Sequence, residues 1–281
     1  MLDLAAFLSY RSRLLSDVPP PGRRPLVVLP TYNERDNLVP IVTAIRRELP
    51  HAIIRIVDDN SPDGTGHLAD ELAATDPGVS VHHRPGKLGL GTAYAAAFAE
   101  ALRDDFDCIL QMDADFSHDP TYLPGLLAAL GEADLVIGSR YIAGGGTSNW
   151  SAFRQAISRG GNWVARVGLG VRTRDATGGY RAYRRTTLER LDFRELALRG
   201  YGFQIEVVYQ IERAGLRVKE IPITFVERAS GESKMSKDIV LEAAIHILRR
   251  RLRLLRHGRS AASVPADPEP EPQVRTHTLA E

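Results

Sequence analysis

The sequence predicts an α/β fold, a mostly parallel sheet flanked by helices on both faces. Two observations carry this. Short apolar runs recur along residues 26–139, as expected of strands buried on both sides. Stretches of helical character separate them, and a β-α-β-α order is met by parallel strands joined through crossover helices. With 281 residues and 43% hydrophobic content, the chain can bury a sizeable core.

The elements follow in order. "LVVLP" (26–30) reads as a buried strand and leads into a helix over about 35–48. "IIRIVDD" (53–59) is a second strand, with a helix over about 66–75. "VSVHH" (79–83) is a third, and the alanine-rich "GTAYAAAFAEALR" (91–103) favours helix. "DCILQM" (107–112) is a fourth strand, "PTYLPGLLAAL" (120–130) a helix, and "DLVIGS" (134–139) a fifth strand. Beyond residue 140 the rhythm changes. "IAGGGTSNW" is a glycine-rich loop, a helix covers about 151–167, and "RAYRR" and "KEIPITFV" read as further strands. A long helix spans roughly 236–256.

The organisation is fourfold. Residues 1–24 hold a short amphipathic helix, with Leu4, Leu8 and Leu15 around Arg11 and Arg13, and a stiff proline-rich linker. Residues 25–235 form the α/β domain, 236–258 a basic amphipathic helix, and 259–281 a proline-punctuated tail that predicts disorder. The formal net charge of +1 gives no global field for nucleic acid, and the single Cys108 excludes a disulfide framework. No apolar stretch reaches the roughly 20 residues of a membrane span. A cytoplasmic location is the expectation.

In open parallel sheets, ligands lie outside the carboxyl ends of the strands. Three polar clusters fall there: "PTYNER" (30–35), "VDDNSPDGT" (57–65) and "MDADF" (112–116). Asp113 and Asp115 are one residue apart. In extended chain, such a pair points the same way and repels unless a cation lies between. No G-x-G-x-x-G follows the first strand, and "GKLGLG" (86–91) is not a Walker loop. A rim of carboxylates instead predicts a diphosphate held through a hard divalent cation, Mg2+ or Mn2+.

"PTYNE", "VDDNSPDGT", "GKLGLGTAY", "DADFSHDP", "GSRY", "NWSAFRQAISRGGN", "GGYRAY" and "ERASGESKM" occur together and in order. On these motifs, residues 25–237 resemble the family-2 glycosyltransferases of GT-A (nucleotide-diphospho-sugar transferase) fold, in particular the polyprenol monophosphate mannose synthases. The resemblance implies an inverting, metal-dependent transfer of mannose from GDP-mannose to a polyprenyl phosphate. It implies that Pro30, Tyr32, Glu34, Val57 and Asp59 frame the nucleoside, and that Asp113, Ala114 and Asp115 meet the diphosphate and its metal. Arg140 meets phosphate, Arg228 and Lys234 clamp the donor from a loop, and Arg154 and Ser158 face the acceptor phosphate. Where such enzymes often carry a metal-ligating glutamine, this chain has Ser117, whose hydroxyl reaches less far.

Blander readings stand beside these. Asp58, Asp59 and Asp63 are good turn formers. Lys87 reads equally as a surface charge, and His118 as a capping or packing group rather than a ligand. His82 and His83 look structural, Asp175 shapes a loop, and Glu206 serves a helix dipole or contacts the acceptor. UDP-glucose is the rival donor, and a non-catalytic nucleotide-binding subunit the rival class. A lipid acceptor implies peripheral association with the cytosolic membrane face, with a membrane-protein partner a further possibility. The stripe Leu241, Ile245, Leu248, Leu252 and Leu255, beside Arg249–Arg251, Arg253, Arg256 and Arg259, suits the membrane interface. The competing reading is a terminal helix packed on the catalytic domain.

Overall fold

A computed structural model describes residues 24–196, 198, 200–227 and 237–256. The expected N-terminal helix, most of the "ERASGESKM" loop with Arg228 and Lys234, and the expected tail lie outside the described residues. The strands are β1 (Pro25–Thr31), β2 (Ile53–Asp58), β3 (Val79–His83), β4 (Cys108–Gln111), β5 (Leu135–Ser139), β6 (Gly146–Ser148), β7 (Arg181–Arg184), β8 (Val218–Pro222) and β9 (Thr224–Val226). The helices are α1 (Arg35–Glu48), α2 (Thr65–Thr75), α3 (Leu90–Ala101), α4 (Leu123–Ala129), α5 (Ala152–Leu169), α6 (Arg185–Leu188), α7 (Tyr201–Arg213) and α8 (Lys237–Arg256).

The main sheet has seven strands in the order β3-β2-β1-β4-β7-β5-β8. All neighbours are parallel except β7, which runs antiparallel to both β4 and β5. Side chains alternate across β1. Leu26 and Val28 enter the core under α3 and α7, whereas Val27 and Leu29 enter the one under α1 and α4. The first core is aromatic: Phe98 lies 5.2 Å edge-on from Tyr183, and Tyr94 stacks at 6.0 Å on Phe203.

Two glycines of the "GKLGLG" run serve packing. Gly89 holds φ 101° at the start of α3, a conformation that favours glycine. A Cβ on Gly91 would fall 2.0 Å from the Leu198 carbonyl oxygen and 2.7 Å from Phe203 Cβ, so α3 and α7 meet only because that side chain is absent.

"KEIPITFV" forms two strands rather than one. Pro222 has no N–H to extend the ladder, so β8 ends there and β9 crosses to pair with β6. β6 therefore lies inside what the sequence reads as a glycine-rich loop.

Candidate active site

The carboxyl ends of β1, β2, β4 and β5 share one rim. β4 stops at Gln111, so Asp113 and Asp115 do not share a strand face as the two-residue spacing predicts. They lie in the turn beyond it, held by Phe116 at φ 59°. Their surroundings differ. Asp113 is partly exposed, and the Tyr94 hydroxyl, which donates to the Met112 carbonyl at 3.0 Å, lies 3.5 Å from its carboxylate. Asp115 is buried and accepts the Ser117 N–H at 3.0 Å. The Ser117 hydroxyl is buried with no hydrogen-bond partner among the described residues.

His118 braces this turn. Its Nδ1 accepts the Asp113 N–H at 3.0 Å, and its ring stacks on Tyr180 at 4.8 Å. Burial holds its pKa below the usual histidine value, so near neutrality the ring is uncharged. The packing reading of His118 is the one observed. Among the described residues no three His, Cys, Asp or Glu side chains converge as a metal cage. Two carboxylates and an unsatisfied hydroxyl nonetheless form a hard oxygen set, of the kind that binds Mg2+ or Mn2+ together with substrate phosphates and water.

The β1 and β2 ends bring together the five residues expected to frame a nucleoside. Pro30 pairs in register with Val57, and the Asp59 N–H donates to the Thr31 carbonyl at 3.1 Å. Lys87 Nζ lies 4.1 Å over the Tyr32 ring, so this lysine covers one face of that ring. Glu34 is buried and accepts from Asn37 Nδ2 at 2.9 Å. Asp58 is a turn former, bound by Thr31 Oγ1 and by both the N–H and hydroxyl of Ser61. Asp63 likewise accepts from Thr65 and the Arg35 N–H. Asp59 pairs with Arg84 at 2.5 Å, and Arg84 reaches Thr92 at 2.7 Å. Burial outweighs the guanidinium and raises the Asp59 pKa.

Arg140 extends from β5 and is buried. Its Nε and Nη2 grip Asp175 at 2.8 and 2.7 Å, and Nη2 also reaches Thr177 at 2.9 Å. Burial raises the Asp175 pKa, but Arg140 more than offsets it and the net shift is downward. On α5, Ser151 caps the helix by accepting the Arg154 N–H at 3.2 Å. Arg154 pairs with Glu227 and lies 4.2 Å over the Trp150 ring. One turn on, Ser158 accepts the Tyr141 hydroxyl at 2.7 Å. An apolar cavity of about 200 Å³ opens beside Arg140 and Ser158, walled by Ile157, Val164, Ile205, Ala243 and Ile247.

An aromatic chain links the two sides: His118 meets Phe225 edge-on at 5.3 Å, and Phe225 meets Trp150 at 5.3 Å. Arg140 lies over both Trp150 and Phe225. Sequence reasoning does not single out Trp150, Phe225, Tyr141, Glu227 or Arg84. The available signal was one tryptophan inside a glycine-rich loop.

Glu206 is fully buried and faces α8. It accepts from His246 Nε2 at 2.7 Å, Arg250 Nε at 3.0 Å and Gln210 Nε2 at 2.9 Å, and pairs with Arg250 Nη2. Burial pushes its pKa up, but these hydrogen bonds outweigh it and hold it below the usual glutamate value. Glu206 is thus a latch between α7 and α8. Its partner Arg250 turns inward, away from the basic surface that the sequence assigned to it. His82 and His83 pair with Glu100 and Asp70.

A model of glycosyl transferase family 2 matches residues 26–192. The undecaprenyl-phosphate mannosyltransferase of Micrococcus luteus is 48% identical over 80% of this chain and 93% of its own. The polyprenol monophosphomannose synthase of Mycolicibacterium smegmatis is 48% identical over 81% of this chain and 86% of its own. Glucosyl-3-phosphoglycerate synthase from Mycobacterium tuberculosis, solved with Mn2+, uridine-diphosphate-glucose and phosphoglyceric acid, superposes with a TM-score of 0.60 at 22% identity. That match covers 82% of this chain and 80% of the synthase, and the shared architecture is the GT-A fold.

Proposed function

This chain belongs to glycosyl transferase family 2, and from that premise we propose that it transfers mannose from GDP-mannose to a polyprenyl phosphate, with inversion, at the cytosolic surface of a membrane. The observation that carries the reading is the two-sided rim. A carboxylate turn after β4 and an arginine-and-serine face on α5 are joined by the His118–Phe225–Trp150 chain. The names of the relatives support the mannosyl group and the polyprenyl phosphate.

The donor's base and ribose lie against Pro30, Tyr32, Glu34, Val57 and Asp59, at the paired ends of β1 and β2. Asp113 and Asp115, with Ser117 beside them, would hold Mg2+ or Mn2+, which when bound would supply positive charge to the diphosphate. Arg140, Arg228 and Lys234 add cationic contacts where negative charge grows as the nucleoside diphosphate leaves. Arg154 and Ser158 orient the acceptor phosphate, and the neighbouring apolar cavity takes the first part of its chain.

A phosphate monoester has its second pKa near 6. The acceptor is therefore already an anion near neutral pH and attacks without losing a proton. No general base is required, which accords with Glu206 being locked to α8 and His118 being spent on the Asp113 N–H. Among the described residues no helix is long and apolar enough to cross a membrane. The exposed Ile245, Leu248 and Leu252 of α8 fit docking from one side.

The test is parallel incubation with radiolabelled GDP-mannose or UDP-glucose, polyprenyl phosphate and Mg2+, followed by lipid extraction. Label enters the lipid from GDP-mannose. Label from UDP-glucose alone overturns the donor, and label from neither, with nucleotide still bound, overturns the catalytic reading.

A further inference from the structure

Beside the rim lies a cavity of about 510 Å³ whose lining is strongly basic. Arg140, Arg159, Arg166 and Arg174 contribute to it, with Tyr141 and Trp163, and no carboxylate does. Arg140 is ion-paired with Asp175. The other three are exposed, and among the described residues no carboxylate pairs with their guanidinium groups. Three uncompensated arginines around one concavity make a site for a phosphate-bearing anion.

Its outer wall is continuous with an unusual helix face. α5 buries Asn162, Ala165 and Leu169 on one side. On the opposite side Phe153, Trp163 and Val167 stand 76%, 62% and 59% exposed. At about 100° per residue, these fall on one stripe with Ala156, Gly160 and Val164. The helix has no acidic residue. Exposed apolar stripes of this kind mark interaction surfaces. Tryptophan and arginine beside them are the side chains that settle at a bilayer's headgroup level.

We propose that this cavity binds the headgroup of an anionic glycerophospholipid, resting on the membrane-surface reading above. The phosphate lies among Arg159, Arg166 and Arg174, and the acyl chains lie against the α5 stripe led by Phe153 and Trp163. Neither Arg154 nor Ser158 lines this cavity, so the enzyme grips the bilayer beside the acceptor rather than through it.

The experiment is flotation of the full chain with phosphatidylcholine vesicles, with or without phosphatidylglycerol, and with no polyprenyl phosphate present. A second arm measures turnover on acceptor in neutral detergent micelles. The combined Arg159→Gln, Arg166→Gln, Arg174→Gln variant loses binding to the anionic vesicles by roughly five-fold per arginine, on the order of 100-fold together at low ionic strength. Its micellar turnover is unchanged. Phe153→Ser with Trp163→Ser, at two exposed positions, weakens binding to both vesicle types. Wild-type flotation by the arginine variant overturns the proposal. So does a parallel fall in micellar turnover, which makes the cavity an acceptor site, or full displacement by free glycerol phosphate, which makes it a site for soluble phosphates. Loss of micellar turnover in the unmodified chain, with anionic vesicle binding intact, sinks the transferase reading alone.

Discussion

On the side of the rim proposed for the donor, Glu34 and Asp115 accept hydrogen bonds from within three residues, and Asp58 and Asp63 tie their turn to Thr31 and to the start of α1. On the side proposed for the acceptor, Arg140 and Arg154 lie over the Trp150 ring, and α5 and α8 leave apolar side chains in water. The first side fixes oxygen atoms by short, directional contacts. The second anchors each arginine on a carboxylate, Asp175 or Glu227, lays it across a ring face worth about 0.5–2 kcal/mol, and leaves apolar side chains beside it in water. The contrast fits a small, highly charged ligand on one side and a long, variable lipid on the other.

The contrast is broken most directly at its rigid side. Asp115→Asn removes one anionic oxygen with almost no change of volume. Turnover should fall by about 10² or more, on the scale of losing a charge contact in the transition state, and Mn2+ binding followed by electron paramagnetic resonance should weaken with it. Full activity of the variant in excess chelator would remove the metal from the account.

Glu206→Gln probes the latch behind the acceptor side. Turnover should persist, since a drop of about 10⁴ is what general-base removal can cost. Thermal stability should fall by about 2 kcal/mol, the scale of hydrogen bonds to a charged group. The folded pKa of Glu206 is depressed. The latch therefore contributes fully above the ordinary glutamate value of about 4.3 and is lost as pH falls through the folded value. Melting of the two proteins at descending pH should converge in that acid range; a constant gap would mean the carboxylate charge is irrelevant.

A finer adjustment is Trp150→Ala. It removes the ring shared by Arg140 and Arg154, costing about 1 kcal/mol, near the middle of the cation–π range. The acceptor KM should rise about five-fold while GDP affinity holds. Equal loss in both would merge the two sides into one unit.

The donor side was legible in the sequence because its chemistry is local. "DADF" and "VDDNSPDGT" carry the carboxylates and the turn formers within a few residues, at the ends of runs that had to be strands. Strand order was less legible. β7 lies between β4 and β5, and nothing in "RAYRR" says that it inserts there or runs backward. Arg84, Trp150 and Glu227 were missed because their roles arise from partners 25 to 75 positions away or so. Glu206 was read as a dipole or acceptor group because its partners, His246 and Arg250, come from a helix forty residues later.

The backward strand β7 has one more effect. Had β4 and β5 been neighbours, about 4.8 Å apart, the acidic turn and Arg140 would have closed on each other as an ion pair. With β7 inserted, the two ends are about 10 Å apart, and Arg140 takes Asp175 from the segment that leads into β7. Because β7 runs the other way, it starts at the rim, preceded by Gly178 and Gly179. A Cβ on Gly179 would touch His118 and Gln204 at 3.5 and 3.6 Å, so the floor between the two charges is bare backbone. The strand works as a spacer that keeps the acidic turn from pairing with Arg140, whose carboxylate partner is Asp175 instead, and leaves a gap between them that suits the phosphate-linked sugar of the proposed donor.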